Sequence, residues 1–206
     1  MNGGAIALVD YGAGNLRSVE NALRAVGAEV TVTHDPEVVR RARSIVVPGQ
    51  GSMPVCAEAM RRSGVAGALV EALEQGARML GICVGLQILF ERGEEAGGVR
   101  GLGLVPGTVS RLPSGVKLPN IGWSPVRAVG SRHALFAPLD GQYVYFAHSF
   151  AAPADADGVE LLAEHGRPYC AGLARGNLFA VQFHPEKSQQ VGLGFLKRFM
   201  EIPPCS

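Results

Sequence analysis

Cys83 stands between Gly81 and Gly85 in the stretch Ala77-Arg-Met-Leu-Gly-Ile-Cys83-Val-Gly-Leu-Gln-Ile-Leu-Phe90. An apolar run precedes it and a helix-compatible run through about Glu91 follows. This Gly-x-Cys-x-Gly pattern is the thiol counterpart of the nucleophile elbow. The strand-to-helix turn it implies is too tight for side chains two residues to either side, which glycine satisfies. The cysteine then projects from the sheet edge at a helix N-terminus, whose positive end favours thiolate over thiol. Taken alone, the stretch also reads as a buried cysteine acting as a small hydrophobe.

A thiol nucleophile needs a base. Phe183-His184-Pro185-Glu186-Lys187-Ser188 follows an apolar strand, and Pro185 biases His184 toward an extended conformation. Residues two apart in an extended segment project to one side, so Glu186 can reach the imidazole. The carboxylate would fix the tautomer and stabilise the imidazolium, leaving the other ring nitrogen to exchange a proton with Cys83. His148, in Tyr145-Phe-Ala-His148-Ser149, is also at a strand end but lacks the proline and the acid.

Pro48-Gly49-Gln50-Gly51 is a second glycine loop after a strand. Its amides, together with that of Val84, are candidates for an oxyanion hole. Gln87 lies one helical turn beyond Cys83 and offers an amide to the polar end of a small substrate. A thiolate facing an oxyanion hole performs acyl transfer through a thioester, on amides or esters.

These residues need a scaffold that brings strand ends together. Ala5–Val9, Glu29–Thr33 and Ser44–Val47 read as strands. Between them lie a helix from Asn15 to about Val26, with Asn15 as its cap, and a short helix opened by Asp35-Pro36. Residues from about Pro54 to Gln75 read as helical, broken near Ser63-Gly64. Such alternation argues for a parallel sheet covered on both faces. After Glu94 the texture shifts to short strand-like pieces: Gly103–Val105, Val116–Leu118, Trp123–Val129, Gln142–Phe146, Val159–Ala163 and Tyr169–Ala174. Arg175-Gly-Asn177 reads as a hairpin turn into Leu178–Phe183. Antiparallel pairing is therefore expected there, with a closing amphipathic helix from Gln190 to Met200.

Composition excludes several classes. Lys and Arg total 19 against 18 Asp and Glu, so no broad basic surface argues for nucleic acid or an anionic membrane. No apolar run approaches a membrane span, and Met-Asn-Gly-Gly lacks the features of a signal peptide, so the cytoplasm is the expected compartment. Cys56, Cys83, Cys170 and Cys205 are scattered, which argues against a zinc site and a disulfide scaffold. Gly12-x-Gly14 hints at dinucleotide binding. However, Arg17 stands where the third glycine would fall, and Asp10 would repel a pyrophosphate. No metal or cofactor is expected.

Gly81-Ile-Cys83-Val-Gly-Leu-Gln87 with His184-Pro-Glu186-Lys-Ser188 resembles the triad class of glutamine amidotransferases. Within that class, Asp10-Tyr-Gly-Ala-Gly-Asn15, Pro48-Gly-Gln-Gly51, Pro119-Asn-Ile-Gly-Trp123 and Tyr145-Phe-Ala-His-Ser-Phe150 resemble the glutaminase subunits of imidazole glycerol phosphate synthase. The departures are Gln50 where valine is usual, Val84 where leucine is usual, and Ser124 where asparagine often follows the tryptophan.

The resemblance implies one glutaminase domain over residues 1–206. It also implies a three-layer α/β fold with a flavodoxin-like open sheet, mostly parallel with antiparallel strands in the C-terminal half and helices on both faces. Cys83 would attack the side-chain amide of glutamine, His184 would protonate departing ammonia, and Glu186 would orient His184. Gly49, Gly51, Val84, Gln87, His148 and Ser149 would form the substrate pocket and oxyanion region. Asn15, Trp123, Tyr145 and Lys187 would face a cyclase subunit of the HisF type, a (β/α)8 barrel that takes the ammonia for histidine biosynthesis. Another synthase, such as that of pyridoxal phosphate, is the alternative; Gly122-Trp123 and Asp10-Tyr-Gly argue against it.

Overall fold

A computed structural model describes residues 5–12, 15–129 and 133–204. Met1 to Gly4, Gly14 and Cys205 lie outside the described residues. The first half alternates strand and helix: β1 (Ile6–Val9), α1 (Leu16–Ala25), β2 (Val30–Thr33), α2 (Pro36–Arg41), β3 (Ser44–Val47), α3 (Met53–Ser63), α4 (Val65–Glu74), β4 (Arg78–Ile82) and α5 (Val84–Gln87). Every residue of β1, β3 and β4 is buried, as strands covered on both faces require. Asp35 caps α2 by accepting from the Glu37 N–H, with Pro36 at the first helical position. Gly64, at φ 77°, ends α3 and starts α4 where the sequence suggests a break. Asn15 precedes α1 but its side chain makes no capping hydrogen bond, contrary to expectation.

The second half comprises β5 (Phe90–Gly93), β6 (Val99–Arg100), β7 (Val105–Arg111), β8 (Asn120–Pro125), β9 (Arg127–Ala128), β10 (Tyr143–His148), β11 (Phe150–Ala151), β12 (Val159–Glu164), β13 (Pro168–Arg175), β14 (Leu178–Val181) and α6 (Gln189–Glu201). The main sheet runs β2-β1-β3-β4-β14-β13-β12-β9, parallel from β2 to β14 and antiparallel beyond. α1 packs with α6, and α2 and α3 pack with α4, so the sheet lies between two helical layers. β8 and β10 form a separate antiparallel ribbon, and β11-β7-β5-β6 form a small third sheet.

Two further expectations fail. The helix after Cys83 ends at Gln87, not near Glu91. Its continuation is captured by the segment after β6: Leu102 N–H donates to the Ile88 carbonyl, and Leu104 and Val105 N–H to that of Leu89. Gly101 makes this approach possible, since a Cβ there would stand 2.0 Å from the Phe90 carbonyl oxygen. Val116–Leu118 is irregular, with bends at both ends; the strand starts at Asn120, after Pro119, which has no N–H for a ladder.

The register of β14 matters most for function. It inserts beside β4 in parallel, with Val181 opposite Ile82. The residues that follow each strand, 182–184 and 83, therefore leave the sheet side by side.

Candidate active site

Cys83 turns the chain from β4 into α5 with φ 55° and ψ −110°, a conformation that costs a residue with a Cβ about 1–3 kcal/mol. Packing explains the glycines around it. A Cβ on Gly85 would lie 2.2 Å from the Val47 carbonyl oxygen, and one on Gly81 would lie 2.5 Å from that of Gly85. Gly49 wedges under the same turn, where a Cβ would meet the Gly85 nitrogen at 2.3 Å. The elbow is therefore clamped between the ends of β3 and β4. With α5 only four residues long, the macrodipole expected to favour thiolate is short. What remains is local: the Val84 N–H, at the first helical position, has no intrahelical acceptor.

His184 enters from the end of β14 with the expected extended backbone. Pro185–Lys187 then turns as a 3-10 helix, so Glu186 reaches the imidazole from a turn and not along an extended segment. His184 Nδ1 donates to Glu186 Oε1 at 2.8 Å, and the two side chains are only 4% and 1% exposed. The remaining ring nitrogen is left for Cys83, whose sulfur also raises the proton affinity of the imidazole. Burial alone would lower the proton affinity of His184. The hydrogen bonds and negative charges of Cys83 and Glu186 override it and raise the imidazole to about 10. Sulfur, imidazole and carboxylate thus form one buried relay.

The other strand-end histidine is wired differently. His148 Nδ1 must carry a proton to donate to the Phe150 carbonyl at 2.9 Å, which leaves Nε2 to accept from Asn120 Nδ2 at 3.3 Å. Burial pushes His148 down to about 4, and with both ring nitrogens engaged it has none free to take a proton from Cys83.

A cavity of about 230 Å³ opens at Cys83, lined among others by Gly51, Val84, Gln87, Glu95, His148 and Ser149. Five of those six are residues named from sequence; Gly49 is beneath the elbow rather than on the wall. Gln87 Nε2 donates to the Phe150 carbonyl at 2.8 Å and to Gln182 Oε1 at 3.1 Å. The glycine loop is pinned from behind: Tyr11 Oη donates to the Pro48 carbonyl at 2.5 Å, and Cys56 Sγ to that of Gln50 at 3.5 Å. Burial pushes the Cys56 thiol up, so it remains a donor. Cys56, Cys83 and Cys170 are free, and no group of three metal-ligating side chains occurs among the described residues.

Sequence reasoning missed Glu95 and Gln182. Glu95 lies in a 3-10 turn with no periodic signal, and its Oε2 accepts from the Met53 N–H at 2.8 Å. Gln182 was in reach, because it follows β14 directly and precedes His184 by two residues. Of the four expected interface residues, three meet. Trp123 and Tyr145 are opposite each other on β8 and β10 with ring centroids 6.1 Å apart, and Lys187 Nζ is 5.7 Å from the Tyr145 ring. Asn15 joins no such contact among the described residues.

Comparison with known proteins agrees with this architecture. The family model for glutamine amidotransferase class-I matches residues 7–201. The imidazole glycerol phosphate synthase subunit HisH of Moorella thermoacetica is 44% identical over 199 residues, covering 96% of this chain and 94% of its own. The chloroplastic imidazole glycerol phosphate synthase hisHF of Arabidopsis thaliana is 40% identical over 95% of this chain, which spans 34% of that longer protein. A crystal structure of a glutamine amidotransferase superposes with a TM-score of 0.76 at 20% identity, covering 97% of this chain and all of the other, a likeness of fold. On this sequence and fold evidence, the chain belongs to the glutamine amidotransferase class-I family, among the HisH subunits of imidazole glycerol phosphate synthase.

Proposed function

We propose that Cys83, His184 and Glu186 hydrolyse glutamine through a thioester, and that the released ammonia passes to a cyclase subunit. The observation that carries this reading is a thiol on a strained elbow that opens to the cavity, with an imidazole at the end of the adjacent strand and a carboxylate 2.8 Å behind it. The thiolate attacks the side-chain carbonyl carbon of glutamine. Val84 N–H and the amides of the Gly51 loop take the charge that develops on oxygen. His184, held protonated by Glu186, gives its proton to the departing ammonia and later accepts one from the hydrolytic water. Glu95 is an acidic side chain on the cavity wall, suited to the substrate's α-ammonium.

The acceptor of ammonia belongs to a second subunit. Ile121, Trp123 and Tyr143 are 62%, 43% and 58% exposed on the β8–β10 ribbon, an apolar patch with two aromatic rings of the kind that anchor interfaces. Its relative hisHF carries most of its length beyond the matched stretch, which fits a glutaminase joined to a second unit. In this reading residues 1–206 act as one glutaminase domain in a cytoplasmic heterodimer. The partner is a (β/α)8 barrel of the HisF type, and ammonia is channelled through it, because in water it would protonate and disperse. No described helix is long and apolar enough to cross a membrane.

The test is glutamate release by the purified chain, alone and with the cyclase subunit and its acceptor. Stimulation by the cyclase, abolished in Cys83→Ala, is expected. Absence of stimulation defeats the assignment, and stimulation by a pyridoxal phosphate synthase instead would transfer it to that pathway.

A further inference from the structure

Gln182 is fully buried, and neither the relay nor the cavity lining accounts for it. A buried carboxamide is costly unless its oxygen and nitrogen are both bonded. Here both bonds go to the active site. Oε1 accepts from Gln87 Nε2 at 3.1 Å, and Nε2 donates to Cys83 Sγ at 3.7 Å. The backbone holds the side chain in place, since Gln182 N–H bonds the Ala171 carbonyl on the adjacent strand at 3.0 Å. The amide orientation follows from the partners. Gln87 Nε2 already donates to the Phe150 carbonyl, so it meets Gln182 as a donor and must face an oxygen. The Gln182 NH2 group then has to point at the sulfur.

We infer that Gln182 is a further catalytic residue, which donates an N–H to the Cys83 sulfur and assists its departure as thiolate when the thioester is hydrolysed. The inference rests on the glutaminase reading above. In that step the water oxygen bonds the acyl carbon and His184 takes one water proton. The tetrahedral intermediate then collapses, and the C–S bond breaks with its electron pair leaving on sulfur. The carboxylic acid so formed loses its remaining proton to solvent. A thioester sulfur is a poor acceptor and a thiolate a strong one, so this donor acts most where negative charge returns to sulfur. Its opposite end orients Gln87: with both Nε2 hydrogens bonded, the Gln87 oxygen is free to accept from an N–H of the substrate.

The test uses the complex with the cyclase subunit and radiolabelled glutamine, quenching in acid to trap the thioester. Gln182→Met keeps the length of the side chain and removes donor and acceptor. It is expected to lower kcat roughly ten-fold, at the lower end for a hydrogen bond to a charged group. The trapped thioester should rise, and should exceed that of Gln87→Met, which keeps the donor to sulfur. Wild-type kcat in a folded variant, or a loss of kcat without a rise in thioester, overturns the inference. Should Gln182→Met fail to fold, Gln182→Glu keeps the shape. Its carboxyl donates when protonated and repels sulfur when ionised, so its activity should fall with rising pH where wild type holds; a wild-type pH profile overturns the inference. A wild-type complex that traps no thioester and releases no glutamate removes the glutaminase reading itself, and this inference with it.

Discussion

Replacing Glu186 by glutamine removes the charge behind His184 while keeping the side chain's shape. Both partners are almost fully buried and 2.8 Å apart, so water screens the pair little. A hydrogen bond to a charged group contributes about 1.5–3 kcal/mol, and its loss from the step in which His184 carries a proton corresponds to roughly a 10- to 150-fold fall in kcat. KM should change far less, because Glu186 does not line the cavity. The pH dependence follows from the raised His184, at about 10 against an ordinary 6.5. The imidazolium that protonates ammonia persists to about 10 in the wild type, so the alkaline limb of kcat/KM lies there. In Glu186→Gln the limb should move toward neutral pH. Stability carries the same sign. A raised imidazole stabilises the fold fully below its unfolded value of 6.5 and ceases to do so as pH rises through about 10. The melting temperatures of the two proteins should therefore differ most at and below neutral pH and converge above that value. Steady-state glutamate release across this range, with calorimetry on the same samples, reads all three. Wild-type kcat together with an unmoved alkaline limb would refute the assigned role of Glu186.

Two further outcomes test the elbow and the partner face. Glycine is ordinarily no more stabilising than alanine, but at φ 55° and ψ −110° the order should invert. Cys83→Gly should be about 1 kcal/mol more stable than Cys83→Ala in denaturant unfolding, both being inactive; an alanine variant at least as stable would show the turn to be unstrained. Trp123→Ala should weaken cyclase binding by about 2 kcal/mol, roughly 30-fold in Kd, with little change in melting temperature of the free chain. Unchanged affinity by titration calorimetry would take the β8–β10 ribbon out of the interface.

Much of this site is legible in the sequence because its chemistry depends on short-range patterns. Gly81 and Gly85 flank Cys83 since a tight turn tolerates no Cβ there, and the short His184–Glu186 spacing keeps the acid beside the imidazole, although it does so through a 3-10 turn and not along an extended segment. Alternating strand and helix in the first half follow from periodicity and from caps such as Asp35. The sequence also separates His184 from His148, through the adjacent proline and acid. What it does not contain is any pairing between distant segments. That α5 stops at Gln87 depends on Leu102 and Leu104 reaching back to Ile88 and Leu89, and Gly101 discloses that contact only once the two chains meet. That Gly49 supports the elbow from below, and that Glu95 reaches the cavity wall, are likewise matters of packing. Tertiary structure alone decides that β14 lies beside β4 in register, which carries residues nearly a hundred positions apart into hydrogen-bonding contact with one sulfur. A sequence specifies which side chains could react; the ladder between two strands determines which of them touch.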